Sequence, residues 1–266
     1  MILDAIVLKS LRDRWRSLVA WQIGLLALVT VQMSVYPTVR DTSSDWEGAV
    51  ESFPEVLREI LRLEDYTSPT GYLSTELLSF VVPFIFMTLG ATWGARVTAE
   101  EEEAGTADIT WSLPITRRQY LVSRWVTGVI VLVSTSLLFA LSLWIGNLLL
   151  DMNISIGHFA NASLMLALTG LTSFALAGAV GTSSGRRSVG LGVAMVVLIA
   201  GFVFYSLAPL VNFFGSINPY NPLQWMLGAR PLTSGVSVGY IALLLALSAC
   251  GFVNSDRSFG RRDIRI

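Results

Sequence analysis

The order of hydrophobic and polar positions divides this chain into long apolar stretches separated by short polar ones. A membrane-crossing helix needs roughly 20 predominantly apolar residues. Six stretches qualify: about 17–37, 72–97, 119–149, 157–182, 188–213 and 235–253. Their lengths and the absence of period-2 alternation predict an all-α membrane protein with six transmembrane helices. Residues 1–16 are patterned differently. Leu3, Ile6, Val7, Leu11 and Trp15 recur at helical spacing among Asp4, Lys9, Arg12 and Arg16. That pattern fits a helix lying on the inner membrane surface; an ordinary flank of the first span is the alternative. The first span is read as retained, because it is longer than a secretory h-region and lacks an A-x-A-like site before Pro37.

The polar stretches carry their own signals. The segment 38–71 is acidic, with Asp41, Asp45, Glu47, Glu51, Glu55, Glu59, Glu64 and Asp65. Trp46, Val50, Phe53, Leu57, Ile60 and Leu61 share a helical stripe there. It reads as an amphipathic helix on the outer surface, interrupted at Pro54, either a lid or a solvated loop helix. Near the end of the chain, Asn221 and Pro222 form a cap followed by proline at the first helical position. They predict a short helix over 222–229, closed by Gly228 and Pro231. Pro83 predicts a kink in span 2, and Pro209 one near the outer end of span 5. Small residues cluster at Ala175, Ala177, Gly178, Ala179 and Gly181, and again at Gly190, Gly192 and Ala194. Such clusters allow close helix approach, within one subunit or between two.

Charge sets the orientation. Fourteen of the eighteen basic residues lie at the N-terminus, after span 2, after span 4 and at the C-terminus. This bias places both termini in the cytoplasm. Composition agrees with the membrane class: 53% hydrophobic residues, 14% charged and a mean hydropathy of +0.62. A net charge of −1 gives no footprint for nucleic acid. One lysine against seventeen arginines suggests a GC-rich, bacterial genome, and with it the bacterial inner (plasma) membrane. The single Cys250 excludes an internal disulfide, and one histidine, His158, gives no metal site of the usual ligand set.

Candidate chemistry is sparse. The lone lysine, Lys9, follows Val7 and Leu8 rather than glycines, so the chain has no P-loop, and any ATP must bind another polypeptide. "GTSSG" at 181–185 matches G-x-S-x-G around Ser183. It ends an apolar helix, however, and His158 sits at the other end of the same span. No catalytic residue is assigned. The spans carry no ionisable residue in their middles; Glu76, in the outer turns of span 2, is the exception and a possible pathway residue. No linker divides the chain, so 1–266 reads as one transmembrane domain.

The densest charge lies in "TAEEEEAGTADITWSLPITRRQY", 98–120. Glu100 to Glu103 should end span 2 in water. Gly105 breaks the helix, Thr106 caps a new one, and Asp108 sits favourably in its first turn. Ile109, Trp111 and Leu113 give it an apolar character, and Pro114 stops it. Thr116 and Gln119 then form a T-x-x-Q capping box that starts span 3. Exposed apolar residues rimmed by charge suggest a protein docking site; a helix lying on lipid is disfavoured by four glutamates facing an anionic leaflet.

This loop resembles the one between spans 2 and 3 of type 2 ABC-transporter permeases, at Glu103, Gly105, Thr106, Leu113, Pro114, Arg117 and Arg124. The tail "FGRRDI", 259–264, and the Asn-Pro loop before span 6 are also similar to that family. The resemblance implies a coupling helix seated in a cleft of a separate ABC ATPase, with Glu103 touching the ATPase, Trp111 and Leu113 filling the cleft, and Arg117 anchoring the exit. Residues 1–16 would be the elbow helix. Two ATPase copies holding ATP and Mg, and a second permease copy or sister permease, would complete an exporter, with spans 1 and 5 facing across the dimer axis. A non-transporting subunit that passes force or a signal to an outer-face partner is the competing reading.

Overall fold

The computed structural model describes residues 2–43, 48–50, 52–54, 57–58, 65–112, 114–228, 230–233 and 235–262. The outer helix expected around Trp46 to Leu61 falls largely outside them, as do Leu113 and the tail from Asp263. Among the described residues every regular element is helical, and six helices are long and apolar enough to cross a membrane.

α1 (Ile2–Asp13) meets α2 (Trp15–Asp41) at a single hinge residue, Arg14, with φ −123° and ψ 15°. The helix runs on through Pro37, four residues beyond the expected end of span 1. Leu25, Val29, Met33, Tyr36 and Val39 form its buried stripe. The opposite face, with Ile23, Val31 and Val35, is just as apolar but exposed, as a lipid-facing surface must be.

Span 2 is not one helix. α3 (Pro69–Leu73) starts at Ser68, whose hydroxyl accepts from the Gly71 N–H at 3.0 Å. A π-helical turn over Ser74–Leu78 follows, the chain breaks at Ser79 and Phe80, and α4 (Val81–Gly94) resumes. The expected Pro83 kink is therefore a break one turn earlier. Its ring excludes the carbonyl of residue 79, and it offers that carbonyl no N–H.

After two short helices come α7 (Arg117–Leu149), α8 (Ile156–Ser184), α9 (Arg187–Leu207) and α12 (Val238–Arg261). α9 ends before Pro209, so that proline terminates span 5 instead of kinking it, and Asn212–Ile217 forms a separate turn, α10. α11 (Pro222–Leu227) matches the predicted helix, with Asn221 accepting from the Leu223 N–H at 3.1 Å and Gly228 as C-cap. The same Asn221 donates 2.7 Å to the Gly201 carbonyl, which pins α11 to α9.

α8 is the central pillar, in contact with α4, α7, α9 and α12. Of its most apolar window 67% is buried, against 17% for each of α2, α9 and α12. The closest seam joins α8 to α4. A Cβ on Gly90 would lie 2.0 Å from the Gly170 carbonyl oxygen, and one on Gly94 2.1 Å from that of Phe174. Gly190 meets Ala177 and Gly181 in the same way. Gly178, Gly181 and Gly190 of the small-residue clusters thus make contacts within the chain, while Gly192 does not.

Candidate functional site

The loop between spans 2 and 3 folds as two five-residue helices, α5 (Ala99–Glu103) and α6 (Ala107–Trp111). Gly105 adopts φ +64° between them. The Thr106 N–H reaches the Glu101 carbonyl at 2.9 Å and the Gly105 N–H the Glu102 carbonyl at 3.4 Å. These are the two bonds of a Schellman motif, which needs a left-handed residue in that place. The Thr106 side chain makes no cap hydrogen bond, contrary to the sequence expectation; the turn caps the end of α5 and not the start of α6.

α6 presents its larger side chain inward. Ala107 and Trp111 are four residues apart and share a face. Ala107 is buried, and the Trp111 ring packs on Tyr120 and Phe259 at 5.4 and 5.6 Å between centroids. Trp111 rivets α6 to its own chain, because the start of α7 and the end of α12 supply two aromatic neighbours beside it. Among the described residues of the loop, Glu103, Ala104, Gly105, Thr106, Asp108, Ser112 and Pro114 are exposed. The Thr116–Gln119 capping box forms as read, with bonds of 3.0 and 3.2 Å.

Arg117 donates through Nη1 to the carbonyls of Phe259 and Arg262, at 3.0 and 2.8 Å. It closes the open end of α12, whose last carbonyls have no partner in the helix.

Arg124 is the densest node of the site. It is 8% exposed. Nε donates to Val97 O at 3.3 Å and Nη1 to Ser10 Oγ at 2.9 Å. Nη2 reaches Arg96 O at 3.1 Å and Glu100 at 2.9 Å, with Glu101 at 3.3 Å. One planar guanidinium therefore ties α1, the end of span 2 and α5 to span 3. The sequence signal was present: an arginine two turns inside an apolar helix needs partners to be tolerated.

The glutamates are not simply immersed in water. Glu100 pairs with Arg14 as well as Arg124, and Glu102 pairs with Arg262. Glu103 Oε1 accepts from the Arg187 backbone N–H at 2.7 Å. Arg14 also lies over the Trp93 ring, 5.4 Å from its centroid. Burial, then the nearby Arg124 and Arg96 charges, pull the Arg14 guanidinium down to about 10, so it stays charged at neutral pH.

Glu76 lies at the opposite end of the bundle. Tyr66 donates to it at 2.7 Å and Gln32 at 3.3 Å, while Tyr72 donates to the Gln32 carbonyl at 3.0 Å. Burial and the bond to Glu76 push the Tyr66 hydroxyl up. Ser183 donates to the Val180 carbonyl within α8, and His158 lies near the other end of that helix, about 38 Å away by helical rise. They form no catalytic pair.

The family model of the ABC-2 family transporter proteins matches residues 5–264. The chain belongs to that family and is a permease component of an ABC transporter, which implies association with an ABC ATPase. No curated protein sequence matches it significantly.

Proposed function

We propose that this chain is the permease of an ATP-driven exporter and that α6 is its coupling helix. The observation that carries this reading is the two-sided build of the loop. Ala107 and Trp111 fix α6 to the spans, while Gly105, Thr106, Asp108 and Ser112 face outward for a partner. A lever needs both properties. ATP and Mg would bind the partner ATPase, in two copies. The arginine-rich end of the bundle, with both termini, would lie in the cytoplasm of a bacterial cell, by the positive-inside rule. α2 and α9 are mostly exposed yet apolar, which suits packing on a second permease copy or a sister permease. The Glu76 network would stand at the outer mouth of the pathway. Glu103 and Arg117 would hold the loop from within, and Pro114 and the neighbouring Leu113 would complete the docking face.

Co-purification in detergent with the ATPase encoded beside this chain tests the proposal. The wild type should retain the ATPase, and Thr106→Arg with Asp108→Arg should release it while the permease stays monodisperse. A wild-type chain that purifies alone with that ATPase, or a double variant that retains it fully, would overturn the docking assignment.

A further inference from the structure

The stretch 98–103 reaches spans 3, 4 and 5 and the residues flanking spans 1 and 6. Thr98 donates to Thr182 near the end of α8 at 3.1 Å. Glu100 pairs with Arg14, at the root of α2, and with Arg124 of α7. Glu102 pairs with Arg262, just past α12. Glu103 reaches the first turn of α9. Glu100, Glu102 and Glu103 of one short helix thus reach different spans or their ends, and the Schellman turn joins that helix to α6.

The Glu103 link differs from the others. α9 opens with backbone N–H groups that its own turn cannot satisfy. Its N-cap residue, Arg186, makes no side-chain cap hydrogen bond. Glu103 supplies the missing acceptor from 84 positions earlier in the chain, and its negative charge suits the helix N-terminus. The contact is a single hydrogen bond at an exposed residue, whereas the Glu100 side chain is half-buried and that of Glu102 buried against guanidinium groups. The turn that precedes α9 is seated on the same cluster: a Cβ at Gly185 would collide with Arg262 and approach Glu102 to 3.1 Å.

We propose that Glu103 is a positioning residue that caps span 5 from the coupling loop and transmits displacement of α6 to that span. The inference rests on the reading that a partner ATPase moves α6. Glu100 and Glu102 hold the frame, and Glu103 is the link that yields and re-forms.

The test is hydrogen exchange on the permease–ATPase complex in nanodiscs, with and without ATP, Mg and vanadate. In the wild type, nucleotide trapping should change exchange in both the loop 104–112 and the first turns of α9, 187–194. In Glu103→Ala, exchange at 187–190 should rise about fivefold in the resting state, as for a lost helix cap. The nucleotide-dependent change should then survive in 104–112 and vanish in 187–194. Glu103→Gln keeps an acceptor oxygen and should restore the response in α9. A Glu103→Ala complex whose α9 still responds as in the wild type would overturn the proposal, as would a wild type whose α9 never responds. Failure of the wild-type ATPase to co-purify is a separate result and removes the docking reading first.

Discussion

Two regions hold span 2 and its continuation by opposite means. In the middle of the bundle, α4 and α8 meet backbone to backbone at Gly90, Gly94 and Gly170, with almost no side chain between them. At the charged end, α4's continuation is held by long side chains: Arg14, Arg124 and Arg262 reaching Glu100, Glu101 and Glu102. The first kind of contact has one geometry. The second can be lengthened, exchanged or broken bond by bond. The coupling proposed above would need a stiff middle and an adjustable grip, and glycine and charge are placed in that way along span 2.

The seam should break most severely. Gly90→Ala puts a methyl carbon 2.0 Å from a backbone oxygen, so the helices must separate. Overpacking of this kind costs about 3 kcal/mol or more. A thermal melt in detergent should show aggregation or a fall in midpoint of many degrees; an unchanged midpoint would mean the two helices are not so close.

Next comes the charged end. Arg124→Leu leaves Glu100 and Glu101 without their shared cation and unfastens Ser10 of α1. Removing one member of a buried pair costs about 3 kcal/mol. Adding Glu101→Gln to the variant should recover part of the loss, because the carboxylate left without a cation goes with it, while Glu100 keeps Arg14. No recovery would assign Arg124's value to its carbonyl bonds alone.

The contrast also explains what the sequence could show. Spans, caps and loop order follow from local rules, so the capping box at Thr116 and Gln119 and the Asn221–Pro222 start appear as read. The break in span 2 is legible from Pro83 only as a kink; the π turn before it sits among contacts across helices, Tyr72 on Gln32 and Gln32 on Glu76, that no local pattern announces. The packing of Trp111 on its own chain is hidden for the same reason. Five residues of helix cannot reveal which side will find Tyr120 and Phe259, the latter nearly 150 residues downstream. The partners of Glu100 to Glu103 lie on four other elements, and nothing local orders them.

A weaker perturbation separates the loop from the bundle. Gly105→Pro cannot take φ +64° and removes the N–H bonded to Glu102. The turn should open at a local cost of about 1–2 kcal/mol, with the melting point of the spans nearly unchanged. Retention of the ATPase in the co-purification should fall nonetheless. Full retention would show that α6 docks without a fixed turn.

The smallest effect carries the opposite sign and compares two glycines on one helix. Gly190 packs on α8, where an added Cβ would lie 2.6 Å from the Ala177 carbonyl oxygen; Gly192, two residues on, has nothing within 4 Å. Gly190→Ala should therefore destabilise the chain, as Gly90→Ala does. Gly192→Ala should stabilise the isolated permease by about 0.5–1 kcal/mol, because alanine loses less conformational freedom in a helix. The same substitution also reads the other side of α9. If a second permease packs there, the added methyl group will weaken the two-copy assembly, measured by mass photometry, while the single chain melts higher. A Gly192→Ala protein that gains stability in both states would place the face of α9 around Gly192 against lipid, and would move the search for the partner copy to the rest of α9 and to α2.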